Sequence, residues 1–176
     1  MIVATAPAAA KADTATSEGN RNIVERVHAS LQSGDVSVLN EIFDRDRWDE
    51  AVTACPPGWR LPSDLDWKTL EIAIGMDAYD AHLERGRGAG LGDRLKPGGD
   101  TGFDALFSGY SDPHENDAFV RLGDRAVFWA ATTAGRDDVS ALARHRDVSA
   151  DRSTIWRSKV NQTYRLSVRC VANPTP

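Results

Sequence analysis

Two cysteines, four histidines and two acidic segments are the residues of this 176-residue chain best suited to metal or catalytic chemistry. Cys55 and Cys170 are too few for a four-thiolate zinc site, and no Cys-x-x-Cys or His-x-x-x-His spacing occurs. They leave two readings, one disulfide or two free buried thiols. The acidic segments are Asp112-x-His114-Glu115-x-Asp117 and Asp137-Asp138, whose carboxylates are hard oxygen ligands of the kind calcium takes. Polar loops carry such groupings by chance, so calcium is compatible with the sequence but not implied, and no other cofactor is expected. The histidines are scattered: His28 and His82 in helical stretches, His114 in a loop, His145 between Arg144 and Arg146 in a strand. The phrases His-Glu-x-x-His and Gly-x-Ser-x-Gly and the Walker loop are missing. Gly86-x-Gly88-x-Gly90-x-Gly92 lacks a glycine at the dinucleotide offset and follows no strand. Enzyme activity is not expected.

The composition suits a globular domain. Hydrophobic residues are 41% and charged residues 27%, with a net charge of −5. A chain of this size hides roughly 70% of its unfolded surface on folding, enough for a core without a metal. No apolar run approaches the roughly 18 residues of a membrane span, and no basic footprint for nucleic acid exists. At the N-terminus, Ala10-Lys11-Ala12 is a small-x-small triplet of the signal-peptidase type. Residues 1–20 therefore read as a signal remnant or a disordered terminus.

Ile23, Val24, Val27 and Leu31 follow helical spacing, and Val36, Leu39, Ile42 and Phe43 repeat it after Asp35. A helical preface over 21–50 is expected, its charge run 44–50 a solvated loop or helix end. The main domain is expected over 51–174. Ser63 with Asp66 three residues on, preceded by Pro62, marks a helix start, with Trp67, Leu70 and Ile74 on one face. A second helix is expected over 77–85 and a loop over the glycine-rich 86–100. From residue 117 the period becomes two, predicting strands at 117–122, 125–133, 139–148, 154–160 and 163–172. In the last, Tyr164, Leu166, Val168 and Cys170 share the apolar face. Helices first and strands later predict an α+β fold.

Four phrases occur in order. They are Cys55-Pro56-Pro57-Gly58-Trp59-Arg60-Leu61-Pro62-Ser63, then Gly102-Phe103-Asp104-Ala105-Leu106-Phe107-Ser108-Gly109-Tyr110, then Trp129-Ala130-Ala131-Thr132, then Ser167-Val168-Arg169-Cys170-Val171. Over residues 54–172 the chain resembles the Fibrobacter succinogenes major paralogous domain, with the helical preface outside the resemblance. That resemblance implies a C-type-lectin-like fold, a twisted antiparallel sheet with flanking helices and long loops at one end. It implies that Cys55 and Cys170 form the terminal disulfide, and hence a secreted protein: periplasmic, cell-surface or extracellular.

The metal-binding phrases of calcium-type lectins are absent, and formylglycine-generating enzymes of similar fold need thiols that the staple would consume. A non-catalytic, lectin-like binding domain is the expectation, with carbohydrate the first ligand and loops at one end of the sheet the site. Aromatic faces and polar side chains suit sugar rings, which selects Tyr110, Trp129, Arg136, Asp137, Asp138, Arg144, Trp156 and Arg157. Asp112, Glu115 and Asp117 are the weak metal candidates. The rival expectation is a subunit of a fibre, layer or appendage, binding protein or its own copies through the 22–43 helices.

Overall fold

The computed structural model describes residues 45–115, 118–137 and 140–174. The expected helices of 22–43, together with Asp117 and Asp138, lie outside the described residues. The described chain is mixed α+β, mostly sheet, with three short helices.

Its centre is a six-stranded sheet ordered β1-β9-β6-β7-β8-β3. The strands are β1 (Arg45–Asp46), β3 (Arg85–Arg87), β6 (Arg125–Arg136), β7 (Ala141–Ser149), β8 (Ile155–Asn161) and β9 (Leu166–Ser167). Pairing is antiparallel except between β9 and β6, which run parallel at Phe128 and Ser167. Two small sheets flank it. One joins β2 (Trp59–Arg60) to β10 (Val171–Ala172), and the other joins β4 (Tyr110–Asp112) to β5 (Ala118–Val120).

β6 runs Ala126-Val127-Phe128-Trp129-Ala130, all buried. An unbroken apolar run of this kind marks a strand covered on both faces. Ala126, Phe128 and Ala130 enter one core cluster with Trp67, Ile74, Val148 and Ile155. Val127 and Trp129 enter the other, with Ala51, Leu61, Ala143 and Leu166.

Helix α2 (Asp64–Ala73) covers the first face, after α1 (Trp48–Ala51) and before α3 (Leu91–Leu95). Its start is as the sequence predicts: Ser63 Oγ accepts from Asp66 N, and Asp66 Oδ2 accepts from Ser63 N at 2.7 Å. Trp67 is buried against Phe103 and Phe128, with ring centroids 5.9 and 5.7 Å away. On the other face, Trp48 of α1 packs against the second cluster and donates from Nε1 to Ala130 O at 2.9 Å.

Several expectations need correction. Residues 77–85 are not a helix but hold a 3₁₀ turn at Asp80–His82 and, at Arg85, the first residue of β3. The glycine-rich 86–100 stretch is not all loop, because it carries most of β3 and all of α3. These elements are held by tertiary contacts; Gly92 N donates to Ser153 O at 2.7 Å. Residues 163–172 are not one strand. Ser167 pairs with Arg45 of the large sheet, whereas Val171 pairs with Arg60 of a small one. Within the charge run, residues 45–50 contribute β1 and most of α1, and Arg47, Asp49 and Glu50 are exposed, as a solvated helix end would be.

Cys55 and Cys170 are disulfide-bonded across 115 residues, with Cα atoms 5.8 Å apart. The bond ties the loop before β2 to the entry of β10. Cys55 packs against the second cluster, and Cys170 is half-buried.

Candidate ligand-binding cavity

The helix-covered face carries a buried ion network. On α2 and its C-cap, Asp64, Trp67, Glu71 and Ile74 share one stripe, so two carboxylates sit on the apolar face. Three adjacent strands bring arginines to meet them. Arg146 of β7 donates to Glu71 Oε1 at 2.6 Å and to Asp64 Oδ1 at 2.9 Å. Arg157 of β8 clamps Asp64 with two bonds, at 2.9 and 2.8 Å. Arg87 of β3 takes Glu71 Oε2 at 2.6 Å. Burial alone would raise the Asp64 pKa. The hydrogen bonds from Arg157 and Lys68 and the charge of Arg146 outweigh it, and hold the carboxyl well below the usual range. This network locks helix to sheet. Arg157, selected above as a ligand group, belongs to it and is 5% exposed.

The opposite face holds a cavity of ≈190 Å³. Alternation along β7 sends His145 and Asp147 there while Arg144 and Arg146 point away. Arg125 of β6, His145 and Asp147 supply its polar lining, and Tyr110 and Tyr164 its aromatic lining. Val127, Val160 and Leu166 complete it. The two tyrosine rings lie 6.2 Å apart, tilted 39°.

Asp147 is 3% exposed and receives Arg125 Nη1 on Oδ2 at 2.9 Å. Burial pushes its carboxyl pKa up, against the charges of Arg125 and Arg152. Burial, with the positive charges of Arg146, Arg125 and Arg144, lowers His145 to about 4, so the ring is neutral at pH 7. Tyr164 is pushed up to about 12, first by burial and then by Asp112, and stays a phenol. Buried Arg125 Nε, His145 Nδ1 and Asp147 Oδ1 have no hydrogen-bond partner among the described residues. A second cavity, ≈200 Å³, lies beside α2 and is mainly apolar, lined by Trp67, Leu70, Phe103 and Val171, with Arg169 at its edge.

The selected residues therefore separate. Tyr110 is in the polar cavity. Trp129 is fully buried in the core and meets no solvent, a correction to its choice as a ligand platform. Arg144 is paired with Glu84. Arg136 is exposed at the end of β6, and Asp137 closes a turn by accepting from Ser140 N at 2.7 Å. Trp156 is half-buried on the cavity's face, directly opposite Asp147 in the β7–β8 register. Asp112 Oδ1 accepts from His114 N at 2.9 Å, and Glu115 is exposed. Among the described residues no group of three His, Cys, Asp or Glu side chains could hold a metal ion. His145, Asp147, Arg125 and Tyr164 were not selected. Their signal was the alternating Arg144-His145-Arg146-Asp147, which puts two polar side chains on each face of a central strand.

These features define a disulfide-stapled, mixed α+β domain with a polar and aromatic cavity on one sheet face. The chain belongs to the Fibrobacter succinogenes major domain family, whose model matches residues 6–172. The match begins well before residue 54, so the preface is inside the family's span and not outside it. No curated protein and no solved structure matches the chain. No helix among the described residues is long and apolar enough to cross a membrane.

Proposed function

We propose that this is an exported, non-catalytic binding domain of C-type-lectin-like architecture, and that the cavity beside Tyr110 and Tyr164 takes a hydroxyl-rich ligand, carbohydrate first. One observation carries the reading. Two aromatic rings and three polar side chains converge on one small cavity, and His145 Nδ1 and Asp147 Oδ1 each lack a hydrogen bond among the described residues. Sites for small ligands combine apolar walls with a few such polar groups. The volume is below the roughly 300–1,000 Å³ of drug-sized sites, which suits one ring of a sugar chain. A neutral imidazole and an arginine-held carboxyl favour hydroxyl donors. Both cysteines are in the disulfide, so no thiol nucleophile is on offer. The bond itself supports an oxidising compartment, and its position between the first and last small strands suits a lectin-like chain course.

The test is binding to immobilised cellulose, xylan, chitin, mannan and laminarin, with calcium and with chelator. Saturable binding to one of them, weakened at least tenfold by Tyr110→Ala or His145→Ala in folded protein, is expected. The absence of saturable binding to any would contradict the reading.

A second reading, an assembly subunit, is favoured by one surface. Leu65 and Ile72, seven residues apart on the outer side of α2, are 69% and 42% exposed. Light scattering of the wild type and of a Leu65→Ser, Ile72→Ser variant tests it: a larger species that the variant dissolves would support assembly.

A further inference from the structure

We propose that Trp156 is a ring-stacking platform that forms a second subsite beside the cavity, closed in this structure by the Arg152 guanidinium. The inference rests on the carbohydrate reading of the cavity and extends its ligand from one ring to a chain of linked rings.

The platform is built on a glycine. Gly86 of β3 is the register partner of Trp156. A Cβ at Gly86 would lie 3.2 and 3.3 Å from the indole Cε3 and Cζ3 and 3.0 Å from Thr154 Oγ1. The backbone there needs no positive φ. What glycine supplies is space, so that the indole can lie down over the edge strand. Arg152, from the β7–β8 turn, covers the ring with its Cζ 5.1 Å from the centroid.

That cover is weakly held. Arg152 reaches Asp147 Oδ2 at 3.7 Å and Asp151 Oδ1 at 3.5 Å, at or beyond the limit of a hydrogen bond. Its side chain is 29% exposed, and Nη2 has no hydrogen-bond partner among the described residues. A flat group that takes its place on the indole replaces one cation–π contact and two long ion pairs.

The platform is continuous with the cavity. Val127, Asp147 and Trp156 are register partners across β6, β7 and β8, and so share one face. Adjacent strands are about 4.8 Å apart, close to the length of one pyranose ring. Asp147 stands between the two subsites, and its Oδ2 faces both Arg125 and Arg152. A pyranose has the C–H face that an indole stacks and the hydroxyl rim that Asp147 and the displaced arginine can bond.

The experiment is calorimetric titration with glucose, xylose, mannose and N-acetylglucosamine, and with cello-, laminari-, xylo-, manno- and chitotetraose. The proteins are the wild type and the variants Trp156→Ala, Trp156→Phe, Arg152→Ala and Tyr110→Ala. We expect one tetraose to bind at least tenfold tighter than its monosaccharide. Trp156→Ala should erase that advantage and Trp156→Phe keep part of it, while Arg152→Ala tightens tetraose binding about threefold. A tetraose lost in Tyr110→Ala but untouched by either Trp156 variant would overturn the platform and leave the cavity reading intact. Binding lost only in the Trp156 variants would support the platform and remove the cavity. No saccharide bound at all would overturn both.

Discussion

Asp64 and Arg157, 93 residues apart in the chain, form a two-bond buried pair that fastens the start of α2 to β8. Arg146 shares the same carboxylate and reaches on to Glu71. Removing one member leaves buried charge uncompensated, which costs about 3–5 kcal/mol. Asp64→Ala should lower the unfolding free energy, read from a denaturant titration, by that amount; Arg157→Ala, which leaves Asp64 with Arg146 and Lys68, should cost less. A loss below about 1 kcal/mol would mean that the network does not hold helix to sheet.

The disulfide makes a separate contribution. It closes 115 residues, and loops of that size are worth up to about 4.7 kcal/mol in the chain-entropy model. Cys55→Ala/Cys170→Ala should melt well below the oxidised wild type, and a reductant should lower the wild type to meet it. Equal melting with and without reductant would contradict the pairing.

Acid should weaken the fold in two windows. His145 is lowered from 6.5 to about 4 by burial and neighbouring arginines, so below pH 6.5 the unfolded chain binds a proton that the folded chain refuses. Stability should fall between pH 6.5 and about 4, and His145→Gln should flatten that slope. Asp64, held below its ordinary 3.8, adds stability above that value that is lost as pH falls beneath it. Urea midpoints across pH 3–8 would separate the two. An unchanged slope in His145→Gln would refute the assignment to His145.

Gly109, next to the cavity's Tyr110, should tolerate no side chain. Its φ is +70°, a Cβ there would overlap the Val120 carbonyl, and the Leu122 nitrogen would be 2.9 Å away. Its N–H donates to Arg125 O at 2.7 Å, which fixes the cavity's arginine strand. Gly109→Ala should cost more than about 1 kcal/mol, read from the melting temperature.

What the sequence makes legible are local features. Ser63 and Asp66 announce α2, because the cap is complete within four residues. Local pattern announces β6, an unbroken apolar run, and β7 and β8. It cannot announce a change of partner, so the division of 163–172 between two sheets is hidden; Leu166 and Val171 differ only in what they meet. β3 and α3 are hidden for a related reason. They are too short for a periodic signal, and distant backbone holds them. The site was half-legible. Tyr110 lines the cavity, and Trp156 is half-buried on the same sheet face. Arg157, followed by Ser158 and Lys159, looks exposed in sequence, but its parity on β8 aims it at Asp64. Asp64 and Glu71 on the apolar stripe of α2 are the clue to that pairing.

The most direct test of the central claim is a nitrogen-15 NMR titration of the oxidised protein with the five tetraoses. The account predicts saturable amide shifts for one of them, concentrated at Val127, His145, Asp147, Val160 and Leu166 and running outward to Trp156. Shifts confined to other surfaces, or none with any tetraose, would contradict it.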